Sequence, residues 1–324
     1  MRRISQLLAA AIALWGMASL AAHAQGYPTR TITLVVGFPP GGPSDVMSRI
    51  VGRKLEEILG QPLVILNRPG AGGNLAGEHV AQSTPDGYTL LMGNNSILAT
   101  NAVLYKRLGF DPVKDFKPIS LVGAQANILV VNPKVPARTM AELIALAQAR
   151  PGKLNYASSG HGAAAHLAGE LFKTQAKVDM VHVPYKGGAP ALQDVVSGQV
   201  ELMFATAASV IGHIQAKTVI PLAVTTPKRT ALLPDLPTVA EQGLPGFDAT
   251  TWHGLVAPSA TPAAIIDALH KATAKTLADP AVVKSLTELG VDITPSTPEQ
   301  FERYIAAEIP KWTAVVKASG AKLD

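Results

Sequence analysis

An α/β fold with mainly parallel sheets follows from three features of this sequence. Short β-branched or apolar runs alternate with helix-period segments almost to the end. Gly/Pro-rich loops often stand between a run and the helix after it, which is the grammar of repeated βα units. The chain has 324 residues, room for two lobes rather than one. In such folds ligands gather at the C-terminal ends of strands.

The first unit is the plainest. Residues Thr31 to Val36 form a β-branched run that stops at Gly37-Phe38-Pro39-Pro40-Gly41-Gly42. A helix pattern follows at once: Val46, Met47, Ile50, Val51, Leu55, Ile58, Leu59. Gly41 and Gly42 allow close backbone approach to a ligand, Pro39 and Pro40 stiffen the loop, and Pro43 suits a first helical turn. Ser44 and Asp45 can cap exposed amides there, and such a helix start attracts an anion. The loop is no phosphate fingerprint. Gly37 to Gly42 has P-loop spacing, but Pro43 replaces the lysine, and no Gly-x-Gly-x-x-Gly is present.

Next come a strand over Leu63 to Leu66, the turn Gly70 to Asn74 opening a helix, and a strand over Tyr88 to Met92 ending in Gly93-Asn94-Asn95-Ser96. Phe116 to Val122 and Asn127 to Val131 are two further strands. Thr139 to Arg150 is an amphipathic helix with Thr139 as cap and Pro151-Gly152 as stop. Leu154 to Ala157 leads through Ser158-Ser159-Gly160-His161-Gly162 into a helix over Ala163 to Lys173. Short strands follow at Met180 to Val183, Val200 to Ala205 and Val219 to Thr225, with helices or turns between them. Ala263 to Lys275, Ala281 to Leu289 and Pro298 to Ala318 make a helical C-terminal part.

No Ser/Gly-rich linker divides the chain, so strands should cross between the lobes. Leu121-Val122-Gly123-Ala124 and Ala223-Val224-Thr225-Thr226 are the expected crossovers. That places residues 27–123 plus 226–324 in lobe 1 and residues 124–225 in lobe 2.

Met1-Arg2-Arg3, the apolar stretch Leu7 to Ala22 and the small-x-small site Ala22-His23-Ala24 read as a secretory signal peptide over residues 1–24, cleaved after Ala24. The follow-up Ile4-Ser5-Gln6 lacks the twin-arginine signature, which points to general secretion. With no cysteine, disulfides, thiolate metal sites and a lipidated N-terminal cysteine are excluded. Net charge falls from +5 to +3 when Arg2 and Arg3 leave, and no dense Lys/Arg cluster suggests nucleic acid. Aromatic content of 5% argues against a sugar site of stacked rings. No other run suits a membrane span. The expected product is an exported monomer without stable membrane insertion.

Several blocks together resemble one known family. They are Tyr27-Pro28 with Ile32 to Val36 and Phe38 to Gly42; Asn67-Arg68-Pro69-Gly70-Ala71-Gly72-Gly73-Asn74; and Thr84-Pro85-Asp86-Gly87-Tyr88-Thr89-Leu90. Val183-Pro184-Tyr185-Lys186-Gly187-Gly188 and Leu236-Pro237-Thr238-Val239-Ala240-Glu241-Gln242-Gly243 complete the set. In this order they are similar to the Bug/TctC-type periplasmic receptors of tripartite tricarboxylate transporters. The resemblance covers essentially the whole chain after the signal. It implies a two-lobed periplasmic-binding-protein (Venus-flytrap, type II-like) fold, a small carboxylate held in the cleft, and delivery to membrane transporter subunits. Ala205 follows Met203-Phe204 where many relatives carry an aspartate, which weighs against an amino-acid ligand. Lys217 replaces a common helix-ending glycine and changes only a turn.

The candidate ligand contacts are Phe38, Pro40, Gly41, Gly42, Ser44 and Asp45 from one lobe and Ser158, Ser159, His161 and Gly162 from the other, with Asn94 and Thr206 at strand ends. Capping turns alone would also explain both loops. His161 either donates to the ligand or only lines the cleft. His166 and Glu170 read as packing, and Tyr185 to Gly188 as a structural turn with Lys186 in solvent. An enzyme is the more distant reading. Tyr156-Ala157-Ser158-Ser159-Gly160 lacks the first glycine of a nucleophile elbow, and the eight histidines include no zinc motif. No cofactor and no metal are expected. A ligand sensor for a membrane kinase is the nearer alternative, since the same fold serves both.

Overall fold

The computed structural model describes residues 26–319. The expected signal segment, with its cleavage after Ala24, lies outside the described residues.

Two mixed sheets organise the chain, one of six strands and one of five. The first begins with β1 (Ile32–Val36), α1 (Pro43–Leu59), β2 (Leu63–Asn67), a 3₁₀ turn (Ala71–Gly73), α2 (Asn74–Ala81) and β3 (Thr89–Asn94). A π-turn (Ser96–Thr100), the single-turn α3 (Asn101–Leu104) and β4 (Phe116–Gln125) follow. The second sheet takes β5 (Asn127–Val131), α4 (Met140–Ala149), β6 (Asn155–Ser158), α5 (Ala164–Ala176), β7 (Val181–Pro184), α6 (Gly188–Ser197), β8 (Leu202–Thr206), α7 (Ala207–Gln215) and β9 (Ile220–Val224). The chain then returns to the first sheet with β10 (Thr251–Pro258), α8 (Ala263–Ala278), α9 (Pro280–Glu288), β11 (Val291–Ile293) and α10 (Pro298–Ser319).

Strand order is β11-β4-β10-β3-β1-β2 in the first sheet and β7-β6-β8-β5-β9 in the second. Each sheet has the same plan. A parallel trio (β2-β1-β3 or β7-β6-β8) is followed by one antiparallel strand that arrives from the other sheet, β10 or β5. The expectation of mainly parallel sheets therefore describes the βα units, while β10 and β5, the strands that arrive from the crossings, run the other way. β10 and β11 fall in stretches to which no strand was assigned, one before the C-terminal helices and one between two of them. Gly254 interrupts the β10 run, and every partner of that strand lies far away in sequence.

The chain leaves the first sheet at Gln125 and enters the second at Asn127. On its return, residues past Val224 stay at the edge of the second sheet: Val239 N–H bonds Val224 O, and Ala249 N–H bonds Thr225 O. Against the expected crossovers at Leu121–Ala124 and Ala223–Thr226, the first passage lies slightly later and the second is spread over the long segment before Thr251. Hydrogen bonds bind the two passages together. Asn127 N–H donates to Thr225 Oγ1, and Asn127 Nδ2 donates to Ala249 O and Thr251 Oγ1.

Local signals explain several ends. Thr139 accepts from Glu142 N–H while the Glu142 carboxylate accepts from Thr139 N–H, a capping box that starts α4. Asp279 caps α9 ahead of Pro280. The last helix seals the core: Phe301 and Tyr304 pack edge-on against Trp252. Buried Glu308 accepts from both indoles, Trp252 Nε1 and Trp312 Nε1, each at 2.9 Å. Lys311 balances that carboxylate at 2.8 Å, so the buried charge is paired.

Candidate ligand-binding site

The parallel pairing puts the ends of β1, β2 and β3 on one edge of the first sheet, since Val36 aligns with Asn67 and with Met92. That is also the edge where β4 ends and β10 begins, the edge of the crossings. In the second sheet, β6 and β7 end together at Ser158 and Pro184, and Thr206 at the end of β8 pairs with Asn127 at the start of β5. Both sets of loops thus meet at the crossings. The loops 37–45, 67–74 and 94–97 belong to one side, and 158–163, 184–188 and 206–207 to the other.

The first loop is held from below. Gly42 is the N-cap of α1 without any side-chain cap, and Pro43 opens the helix. Ser44 and Asp45, expected to cap, do other work. The Asp45 carboxylate reaches back to accept from Gly41 N–H at 2.9 Å, and it also accepts from Arg49 Nε and Nη2 and from Asn67 Nδ2. Arg49 chiefly, then Gly41 and Asn67, hold the Asp45 carboxyl at a pKa of about 2 against the cost of burial. Asn67 Nδ2 also bonds Phe38 O, so one network fixes both ends of the loop. Asp45 is therefore a brace, and its acceptor sites are spent. Gly41 takes φ +82, and a Cβ there would meet open space; its requirement is the left-handed backbone. Half-buried Phe38 packs over Gly73, and Pro40 is exposed.

What this loop offers an anion is a set of donors. The N–H groups of Ser44 and Asp45, in the first turn of α1, have no partner among the described residues. Ser44 Oγ lies 2.8 Å from His253 Nε2, with both residues buried. No local pattern signals this pairing, because the two residues are 209 positions apart.

In the second loop Ser158 is fully buried and its hydroxyl is committed. Its Oγ sits 2.6 Å from His182 Nε2, donates to Gly160 O and accepts from Gly160 N–H. Gly162 N–H donates to His166 Nδ1 at 3.0 Å. The groups left for an anion are the N–H of Ser159 and of His161 and the first amides of α5, from Ala164 to His166, none with a partner among the described residues. Ser159 and His161 are exposed.

Behind this loop three histidines meet, from a loop, a helix and a strand, at spacings that matched no motif. Ring nitrogens of His161, His166 and His182 lie within 4.8 Å of one another. His166 and His182 stack at 3.9 Å and 18°, and His161 stands edge-on to both. Burial, then the neighbouring rings, lowers His166 to a pKa of about 4 and His182 to about 3. His166 accepts an amide proton at Nδ1, so its own proton sits on Nε2. Its free lone pair is thereby used, and near-parallel rings do not aim in-plane lone pairs at one point. As arranged, the trio is a hydrogen-bonding wall, held neutral at His166 and His182, rather than a metal cage.

Asn94 Oδ1 accepts from Ile97 N–H and so shapes its own turn. Neighbouring Asn95 is the better polar candidate, since it is buried with Oδ1 unpartnered among the described residues. Thr206 Oγ1 bonds Ser209 Oγ at the start of α7. Tyr185 N–H bonds Ser158 O and its hydroxyl bonds Asp194, which joins the turn 184–188 to the second loop; Lys186 is exposed. Two Ser–His pairs invite an enzyme reading, but among the described residues no carboxylate hydrogen-bonds His182 or His253 to complete a triad.

Comparison with known proteins supplies the context. Residues 47–321 match the profile of the tripartite tricarboxylate transporter family receptor. The chain is similar to Protein BugT of Bordetella pertussis, with 37% identity over 324 residues covering 100% of this chain and 99% of that one. Among solved structures it is similar to R. palustris Rpa4515 with adipate, with TM-score 0.80 and 39% identity over 92% of this chain and 100% of that one. It is also similar to MatC from Rhodopseudomonas palustris with bound malate, with TM-score 0.77 and 33% identity over 90% and 100%.

Proposed function

This chain belongs to the tripartite tricarboxylate transporter receptor family, and we propose that it captures a small dicarboxylate between its lobes for delivery to the transporter's membrane subunits. It is a receptor and not an enzyme. The observation that carries the reading is the pair of free donor sets at the crossing ends of the two sheets: the Ser44 and Asp45 amides from one, the Ser159, His161 and α5 amides from the other. Each suits one carboxylate without an arginine, and two such ends suit a dicarboxylate. Adipate and malate in the two similar structures support that class. Ala205 leaves no carboxylate at the end of β8 to pair with a ligand ammonium.

Donor number makes the affinity reasonable. Hydrogen bonds to a charged acceptor contribute about 1.5–3 kcal/mol each, and a helix start up to about 2 kcal/mol when partly buried. A few of these reach the roughly −8 kcal/mol of micromolar binding after ordering costs. The protein works as a periplasmic monomer released by cleavage after Ala24, and it binds no nucleic acid. Thermal unfolding of the mature protein against dicarboxylates, tricarboxylates and aromatic acids tests the reading. A ligand at 100 times its Kd adds about 2.7 kcal/mol of stability. Stabilisation by no carboxylate, or turnover of the one that stabilises, would overturn it.

A further inference from the structure

We propose that His253 sets the polarity of the carboxylate site: its Nε2–H donates to Ser44 Oγ, which leaves the serine proton free to donate to the ligand. This rests on the reading of the first turn of α1 as an anion site.

His253 lies on β10 between β3 and β4, opposite Asn94 and Gly123, with 1% of its surface exposed. A ring so enclosed and central to a sheet has one orientation. Burial alone holds it neutral near pH 7, with a pKa of about 4. A neutral imidazole carries one N–H and one lone pair, so its two nitrogens cannot play the same part. Nε2 is 2.8 Å from Ser44 Oγ, and Nδ1 has no partner among the described residues.

Two arrangements fit that distance. In one, Ser44 donates to Nε2, and Nδ1–H is a buried donor with nothing to receive it. In the other, Nε2–H donates to Ser44, and Nδ1 is a buried lone pair. An orphaned buried N–H is the rarer defect, which selects the second arrangement. Ser44 Oγ has no other hydrogen bond among the described residues, so its proton points away from His253. It then lies beside the free N–H groups of Ser44 and Asp45. With the hydroxyl as a third donor alongside two free amides, this end of the cleft takes a carboxylate and repels an ammonium.

The wild-type tautomer is the first test. Long-range ¹H–¹⁵N correlation on protein labelled in histidine at pH 7 should show His253 protonated at Nε2 and bare at Nδ1. The opposite pattern overturns the proposal whatever the variants do. Calorimetry with the tightest dicarboxylate of adipate, malate and succinate is the second test. Ser44→Ala should weaken binding tenfold or more, and His253→Leu about as much, with little further loss when both are combined. His253→Gln, whose amide can still donate to Ser44, should recover most of the affinity. Wild-type binding by Ser44→Ala would remove the hydroxyl as a ligand donor, and with it the role of His253, while leaving the Ser44 and Asp45 amides as the anion site. Loss in Ser44→Ala but not in folded His253→Leu would remove only the role of His253.

Discussion

Replacing Asp45 with Asn separates a brace from a ligand contact, because the two roles predict opposite changes in affinity. The Asp45 side chain is 3% exposed and makes four hydrogen bonds, to Gly41 N–H, to two nitrogens of Arg49 and to Asn67. Its pKa of about 2 lies below the ordinary 3.8. A depression of that size corresponds to about 2.4 kcal/mol of stability at pH 7. Arg49, the largest cause, is 53% exposed, so solvent screens part of it and about 1–2.5 kcal/mol is the realistic range. The sign follows from the acid: its charged form is favoured by folding, so the contribution is complete above the unfolded pKa and lost as pH falls through about 2. Urea unfolding of wild type and Asp45→Asn at pH 7 should differ by that amount, and the gap should close on acidification toward pH 2. Released at Gly41, the 38–42 loop should also bind dicarboxylate several-fold more weakly. Equal stability at pH 7 would refute the brace. Tighter binding would show that the Asp45 charge had been facing the ligand and repelling it.

Other consequences are briefer. Gly41→Val should cost about 1–2 kcal/mol through φ +82 and weaken binding by misplacing the loop, whereas Gly41→Asn should be milder; equal effects would show that side-chain bulk matters instead. Ser158→Ala should lower stability by about 1–3 kcal/mol by stranding His182, yet leave affinity within a few-fold of wild type, as calorimetry would show; a large loss of affinity would return the hydroxyl to the ligand. His166 and His253 are both held near pKa 4, so the unfolded chain takes up protons first and stability should fall between about pH 6.5 and 4. Each contributes a slope of up to about 1.4 kcal/mol per pH unit, and His253→Gln should remove its share in pH-dependent unfolding.

Both cradle loops were legible because their chemistry is local. A β-branched run, two glycines and a proline at a helix start specify strand, loop and helix within a few residues, and Thr139 with Glu142 specifies a cap in the same way. The crossings were placed only approximately, since the hydrogen bonds of Asn127 with Thr225, Ala249 and Thr251 depend on distant segments. For the same reason the sequence could not say which side chains remain free. Ser158 reads as an available hydroxyl until His182, from the neighbouring strand, is placed 2.6 Å away. Asp45 reads as a cap until Arg49 and Asn67 claim its oxygens. Strand β10 hid behind Gly254, whose missing side chain makes room for Phe301 of α10.

A crystal structure of the mature protein with the dicarboxylate that stabilises it most tests the central claim directly. One ligand carboxylate should lie within hydrogen-bonding distance, about 2.7–3.2 Å, of the Ser44 and Asp45 amides, and the other at the amides of Ser159, His161 and the first turn of α5. A ligand seated elsewhere, or in the cleft but held by side-chain charges with those amides unengaged, would contradict it.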